Sequence, residues 1–181
     1  MLEILTLTPG ETRPLFSQMV AVYQAAFASA PYYETLGDVL TFEGRLPFHA
    51  RWKGFRCVVA RQAPNAPITG FAYGYTTQPD TWWHAQVMTQ FSASQIRQWL
   101  SDCFEFVELG VDPSFQGQGI GGLLHDALLR GLPHQTAVLS TPQQQTNALH
   151  LYQKRGWIDL LQNFHFAGVA MTYRIMGKKL N

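Results

Sequence analysis

Apolar residues recur at helical spacing, at Phe16, Met19, Val20, Tyr23 and Phe27, and predict an amphipathic helix over residues 15–29 that Pro31 closes. Residues 2–7 read as a strand ended by Pro9-Gly10. Residues 33–52 predict a second helical segment, broken near Gly44 and Pro47. The pattern then turns β-like: residues 55–60 and 68–76 flank Pro64-Asn65-Ala66-Pro67 and predict an antiparallel hairpin, and residues 104–111 form a further strand. An apolar-periodic helix covers residues 123–129. A strand at 136–141, a helix at 146–155 and strands at 157–161 and 169–176 complete the chain. This order predicts a mixed α/β sheet. The 181 residues, free of repeats, suit one domain over 1–181.

The stretch between the 104–111 strand and the helix after it carries the chemistry. Gly117, Gly119, Gly121 and Gly122 leave few side chains over this loop, so its N–H groups are open to an anion. The helix that follows adds its unpaired N–H groups and positive dipole end. A phosphate or pyrophosphate cradle is expected. A nucleotide-triphosphate loop is excluded, because Leu123 and Leu124 stand where a lysine and a Ser/Thr are needed. Gly117, Gly119 and Gly122 satisfy the dinucleotide spacing. Against that reading, residues 112–116 separate them from the strand, and no acid lies between Asp126 and Asp159 to hold a ribose.

The acyl-coenzyme A signature Q/R-x-x-G-x-G/A fits better. Gln116-Gly117-Gln118-Gly119-Ile120-Gly121 matches it and resembles the GCN5-related N-acetyltransferases (GNAT), as does Val111-Asp112-Pro113 leaving the strand. A second stretch, residues 147–157, resembles that family's N-x-x-A/R-x-x-L-Y-x-x-x-G-F at Asn147, Leu151, Tyr152, Gly156 and Trp157, with Trp in place of Phe. The resemblance implies an α/β acyl-CoA N-acyltransferase fold, with a central, mostly antiparallel sheet splayed at the fourth strand and flanked by helices. It implies acetyl-CoA as co-substrate and transfer of acetyl to a primary amine by direct attack in a ternary complex. Gln116, Gly117, Gln118, Gly119, Ile120, Gly121 and Gly122 would hold the pyrophosphate. The backbone from Leu109 to Val111 would pair with the pantetheine arm, Asn147 would bond that arm, and Tyr152 would approach the sulfur. A phenol suits that place because it can donate to a departing thiolate, which favours this role over the core aromatic that Tyr152 would be on spacing alone. An acyl-CoA-binding sensor or interaction module of the same fold is the alternative, against which the presence of Tyr152 counts.

An amine arrives largely as ammonium and must lose a proton before it attacks. Glu105 and Glu108 are the candidate bases, beside a water relay. Three apart on a strand, they point to opposite faces unless a bulge intervenes. The acceptor, a small molecule or a peptide, stays open. Tyr32, Tyr33, Phe48 and His49, with Trp82 and Trp83 in the long 77–103 connection, either wall its pocket or pack elsewhere, and the tryptophans could equally form a homodimer contact.

Net charge of +1 with 14% charged residues gives no basic field that favours nucleic acid. Cys57 and Cys103 sit in apolar strand-like runs and are expected as buried thiols, and the six histidines show no metal-ligand spacing, so no metal is expected. Glu3 precedes any basic residue, and no apolar run approaches a membrane span, so a cytoplasmic location without membrane association is the expectation.

Overall fold

Hydroxyl residues set where most helices begin. Thr8 accepts from Glu11 N–H while its own N–H donates to Glu11 Oε2 at 2.8 Å, and the same reciprocal box joins Thr35 to Asp38 and Ser92 to Gln95. Thr81 and Thr146 cap with the side chain alone. The computed structural model describes residues 1–180. Its elements run β1 (Glu3–Leu7), α1 (Pro9–Thr12), α2 (Phe16–Phe27), α3 (Leu36–His49), β2 (Arg56–Arg61), β3 (Ile68–Thr76), α4 (Trp82–Met88), α5 (Ala93–Trp99), β4 (Cys103–Val111), α6 (Ile120–Leu129), β5 (Thr136–Pro142), α7 (Asn147–Lys154), β6 (Ile158–His165) and β7 (Thr172–Lys179).

The strands hydrogen-bond in the order β1-β2-β3-β4-β5-β7-β6. β1 with β2, β2 with β3, β5 with β7, and β6 with β7 are antiparallel. The parallel pairing of β4 with β5 covers three positions, Cys103↔Thr136 to Glu105↔Val138, and goes no further. This is the mixed, mostly antiparallel sheet expected, with β4 leaving its parallel neighbour after Glu105.

The chain forms two compact units, residues 1–75 with 107–131 and residues 76–106 with 132–181. In the first, α2 and α3 bury Met19, Tyr23, Phe42 and Leu46 against Phe71 and Tyr73. α6 packs on β1 and β2, and its Leu124 and Leu128 are fully buried. Gly70 makes room for it: a Cβ there would lie 3.0 Å from Leu124 Cδ1 and 3.1 Å from Gly110 O. Arg56 on β2 closes the far end of α6, donating to Ala127 O at 3.2 Å and Arg130 O at 2.8 Å, which sets a cation against the negative end of the helix dipole.

In the second unit, Val87, Phe91, Trp99, Val138, Phe164 and Ile175 form the core. Trp99 lies directly on Gly177. A Cβ there would stand 2.7 Å from Trp99 Cε3 and 2.8 Å from Leu160 Cδ1, so Gly177→Ala is expected to cost about 1–3 kcal/mol by overpacking. A thermal unfolding midpoint equal to the parent's would contradict that packing.

Several boundaries differ from the sequence pattern. α3 runs unbroken through Gly44 and Pro47, because its capping box fixes the start and Val39, Phe42 and Leu46 bury one continuous face. Pro9-Gly10 does not simply end β1 but opens α1, where the missing proline N–H is no loss. β6 extends to His165, and β7 begins at Thr172, three residues later than the apolar pattern suggests, running on through Lys179. Cys57 and Cys103 are buried thiols, each pushed up to about 12 by burial. No helix among the described residues is long and apolar enough to cross a membrane.

Candidate functional site

β4 ends at Val111, and the chain is tied down immediately after it. Asp112 N–H donates to Thr69 O at 2.9 Å, Asp112 Oδ1 accepts from Ser114 N–H at 2.8 Å, and Pro113–Phe115 form a single 3-10 turn. Gln116 Nε2 donates back to Val111 O at 2.9 Å. The glutamine of the loop signature therefore fixes the loop to the strand end in this structure.

Beyond Gln116 the backbone turns left-handed twice, with φ of 74° at Gly117 and 79° at Gly119. Gly119 is the N-cap of α6, and its carbonyl accepts from Leu123 N–H at 3.1 Å. The amides of Gly117, Gly119, Ile120, Gly121 and Gly122 have no internal acceptor among the described residues, while Gln118 N–H closes the turn at Gln116-Gly117. All of this run except Ile120 and Gly122 lies at least partly in solvent. A side chain at Gly117 or Gly119 would meet nothing within 4 Å; what excludes it is the backbone conformation. Five unengaged donors at the positive end of a seated helix, whose other end Arg56 neutralises, suit a diphosphate.

Leu109 and Val111 are half-buried on the same strand, and Glu108 precedes them. Its carboxylate accepts from Arg45 Nη2 at 3.1 Å, with 16% of its side chain exposed. Burial raises the Glu108 carboxyl from 4.5 to about 7; Arg45 and the Leu109 N–H act downward, and Glu34 acts upward. A carboxylate poised near neutrality has the proton affinity a general base needs. Tyr23 donates to Glu34 Oε2 at 2.7 Å nearby. Arg45 and Glu34 have no counterpart among the sequence expectations, where Tyr23 enters only as part of the apolar face of its helix. The one trace of them is Arg45, which stands one position before buried Leu46 and three after buried Phe42.

The second motif lies in the other unit. Thr146 caps α7, so Asn147 is its first residue and is exposed. Tyr152 is buried, its ring edge-on to Phe106 with centroids 6.0 Å apart and tilted against Trp157 at 5.9 Å. Gly156, at φ 77°, ends the helix, and Trp157 N–H donates to Tyr152 O at 3.2 Å. Glu105 is buried on β4 within the stretch paired to β5.

The aromatic residues considered for an acceptor pocket divide. Tyr33 and Phe48 are exposed, and Tyr32 packs edge-on against Phe27. His49 lies among Trp52, Tyr73 and Tyr75, with Nδ1 3.0 Å from the Tyr73 hydroxyl, and burial together with Arg45 holds it down at about 4. Trp82 opens α4, where the sequence pattern showed only a connection, and stacks on Phe166; Trp83 donates to Ser140 Oγ at 3.4 Å. No group of three His, Cys, Asp or Glu among the described residues could hold a metal ion.

Residues 75–177 match the acetyltransferase (GNAT) domain family. GCN5-like protein acetyltransferase Rv2170 of Mycobacterium tuberculosis is 35% identical over a 129-residue match that covers 67% of this chain and 63% of that relative's length. Among solved structures, PH1933 from Pyrococcus horikoshii OT3 superposes with a TM-score of 0.68 at 19% identity, over 100% of this chain and 99% of that one. The Escherichia coli ribosomal-protein-S18-alanine N-acetyltransferase gives 0.62 at 17% identity, over 100% and 95%. At these identities both speak for the fold.

Proposed function

The chain belongs to the GNAT acetyltransferase family, and from that premise we propose that it transfers acetyl from acetyl-CoA to a primary amine of a protein or peptide by direct attack in a ternary complex. The observation that carries the reading is the set of five unengaged amides within residues 117–122, which offers a diphosphate its donors already in place. The protein character of the acceptor is taken from the name of the 35% identical relative.

Acetyl-CoA supplies the acyl group in activated thioester form. The chain's own residues do the rest. The five unengaged amides bind the diphosphate, and Gln116 keeps their loop anchored to Val111. Glu108, ionised above about 7, takes the proton from the acceptor ammonium. As the C–N bond forms and the C–S bond breaks, the Tyr152 hydroxyl gives its proton to the departing sulfur. The nitrogen loses its second proton to solvent, solvent returns one to the Tyr152 oxygen, and the Tyr152 ring is held by Phe106 and Trp157.

The test is CoA release, followed with a thiol reagent, with free lysine, a lysine-containing peptide and a peptide bearing only a free α-amine. The expected result is peptide acetylation by mass, matched one-to-one by CoA. Tyr152→Phe should bind CoA as the parent does and turn over at least about tenfold more slowly. CoA affinity with no release above the blank for any acceptor would leave a binding module instead.

A further inference from the structure

Around Glu108, a second carboxylate, a guanidinium and a phenol come together from different parts of the first unit. Arg45 of α3 donates to Glu108 Oε2 at 3.1 Å, and Tyr23 of α2 donates to Glu34 Oε2 at 2.7 Å in the segment between those helices. Phe42 supports both: the Tyr23 ring stacks on it, centroids 4.0 Å apart and planes 6° from parallel, and the Arg45 guanidinium lies 5.5 Å from its centroid.

We propose that Arg45 is the positioning residue for Glu108, aiming its carboxylate and favouring the charged form, and that Glu34, anchored by Tyr23, opposes it. This rests on the reading of Glu108 as the acceptor's base. A buried carboxylate paired only with arginine would be a weak base, and one buried with no cation would stay protonated. Opposed charges place it between these limits. The groups acting on Glu108 are Arg45 from α3, Glu34 from the α2–α3 segment and the N–H of Leu109 from its own strand, while Tyr23 of α2 feels its charge in return. Tyr73 and His49 act on Arg45 or are acted on by it, and burial keeps His49 neutral near pH 7.

The experiment follows the Glu108 carboxyl by its carbon-13 shift against pH in protein labelled at glutamate, the resonance being assigned by its loss in Glu108→Gln. Arg45→Met should move the midpoint up by about one unit or more, and Glu34→Gln should move it down by less. The acid limb of kcat/KM with the best peptide acceptor should move in the same two directions. Opposite shifts in both readouts support the proposal, since general damage to the fold would not shift the two variants oppositely. Midpoints that stay put, or move in the same direction, overturn it. Opposite carboxyl shifts with a stationary kinetic limb overturn the reading of Glu108 as base, and the positioning role with it. Should Arg45→Met fail to fold, Glu34→Gln, which keeps an acceptor for Tyr23, and Arg45→Lys carry the test.

Discussion

Replacing Gly119 with valine is expected to weaken CoA binding by about a hundredfold or more, with secondary structure unchanged by circular dichroism. Gly119 is the N-cap of α6 at φ 79°, ψ 0°, a conformation that a β-branched residue adopts only with strain. To relieve it the peptide must rotate, which turns neighbouring N–H groups out of the common direction. Each lost contact to a charged phosphate is worth about 1.5–3 kcal/mol, so one or two of them account for the loss. Direct collision is not the cause, because a Cβ at this position meets nothing within 4 Å. Gly119→Ala should therefore weaken binding too, but less. The measurement is isothermal titration with CoA and with dephosphorylated pantetheine. A cradle defect removes the preference for the diphosphate-bearing ligand, and parental affinity in Gly119→Val would refute the assignment of this loop.

Features encoded within a few residues could be read from the sequence. The glycine loop, the helix expected at 146–155, and the burial of Cys57 and Cys103 all depend on local chemistry or on apolar runs. So did most strands, since β2, β3 and β5 are short apolar runs buried at nearly every position. What escaped was either balanced or distant. Pro47 looks like a break, yet it lies three residues from the end of α3, after the buried face of Val39, Phe42 and Leu46 is complete. Trp82 and Trp83 read as loop aromatics because the short helix they open depends on Thr81 capping it and on Phe166 and Ser140, far along the chain. The Arg45–Glu108 pair spans 63 residues, and no local pattern marks either partner for the other. Strand parity left Glu105 and Glu108 equal; their surroundings separate them. Glu105 is buried in the paired part of β4, whereas Glu108 meets a guanidinium at a partly open position.

Glu108→Gln is expected to lower kcat/KM by about two to four orders of magnitude and to remove the acid limb near pH 7, at unchanged CoA affinity. Its effect on stability should have the opposite sign, and this distinguishes lost chemistry from a damaged fold. Glu108 holds its proton more tightly in the folded protein, about 7 against 4.5. Its contribution to stability is fully present below 4.5 and is lost as pH rises through about 7. Glutamine has no such loss, so the variant should gain thermal stability relative to the parent between pH 4.5 and 8, offset in part by the missing carboxylate at Arg45. A protein that becomes relatively more stable at high pH while losing activity there has lost a base, not its structure. If the variant retained parental turnover and an acid limb at the same pH, proton removal would pass to Glu105 or to a water relay. Glu105→Gln measured with the same acceptor would then separate those two.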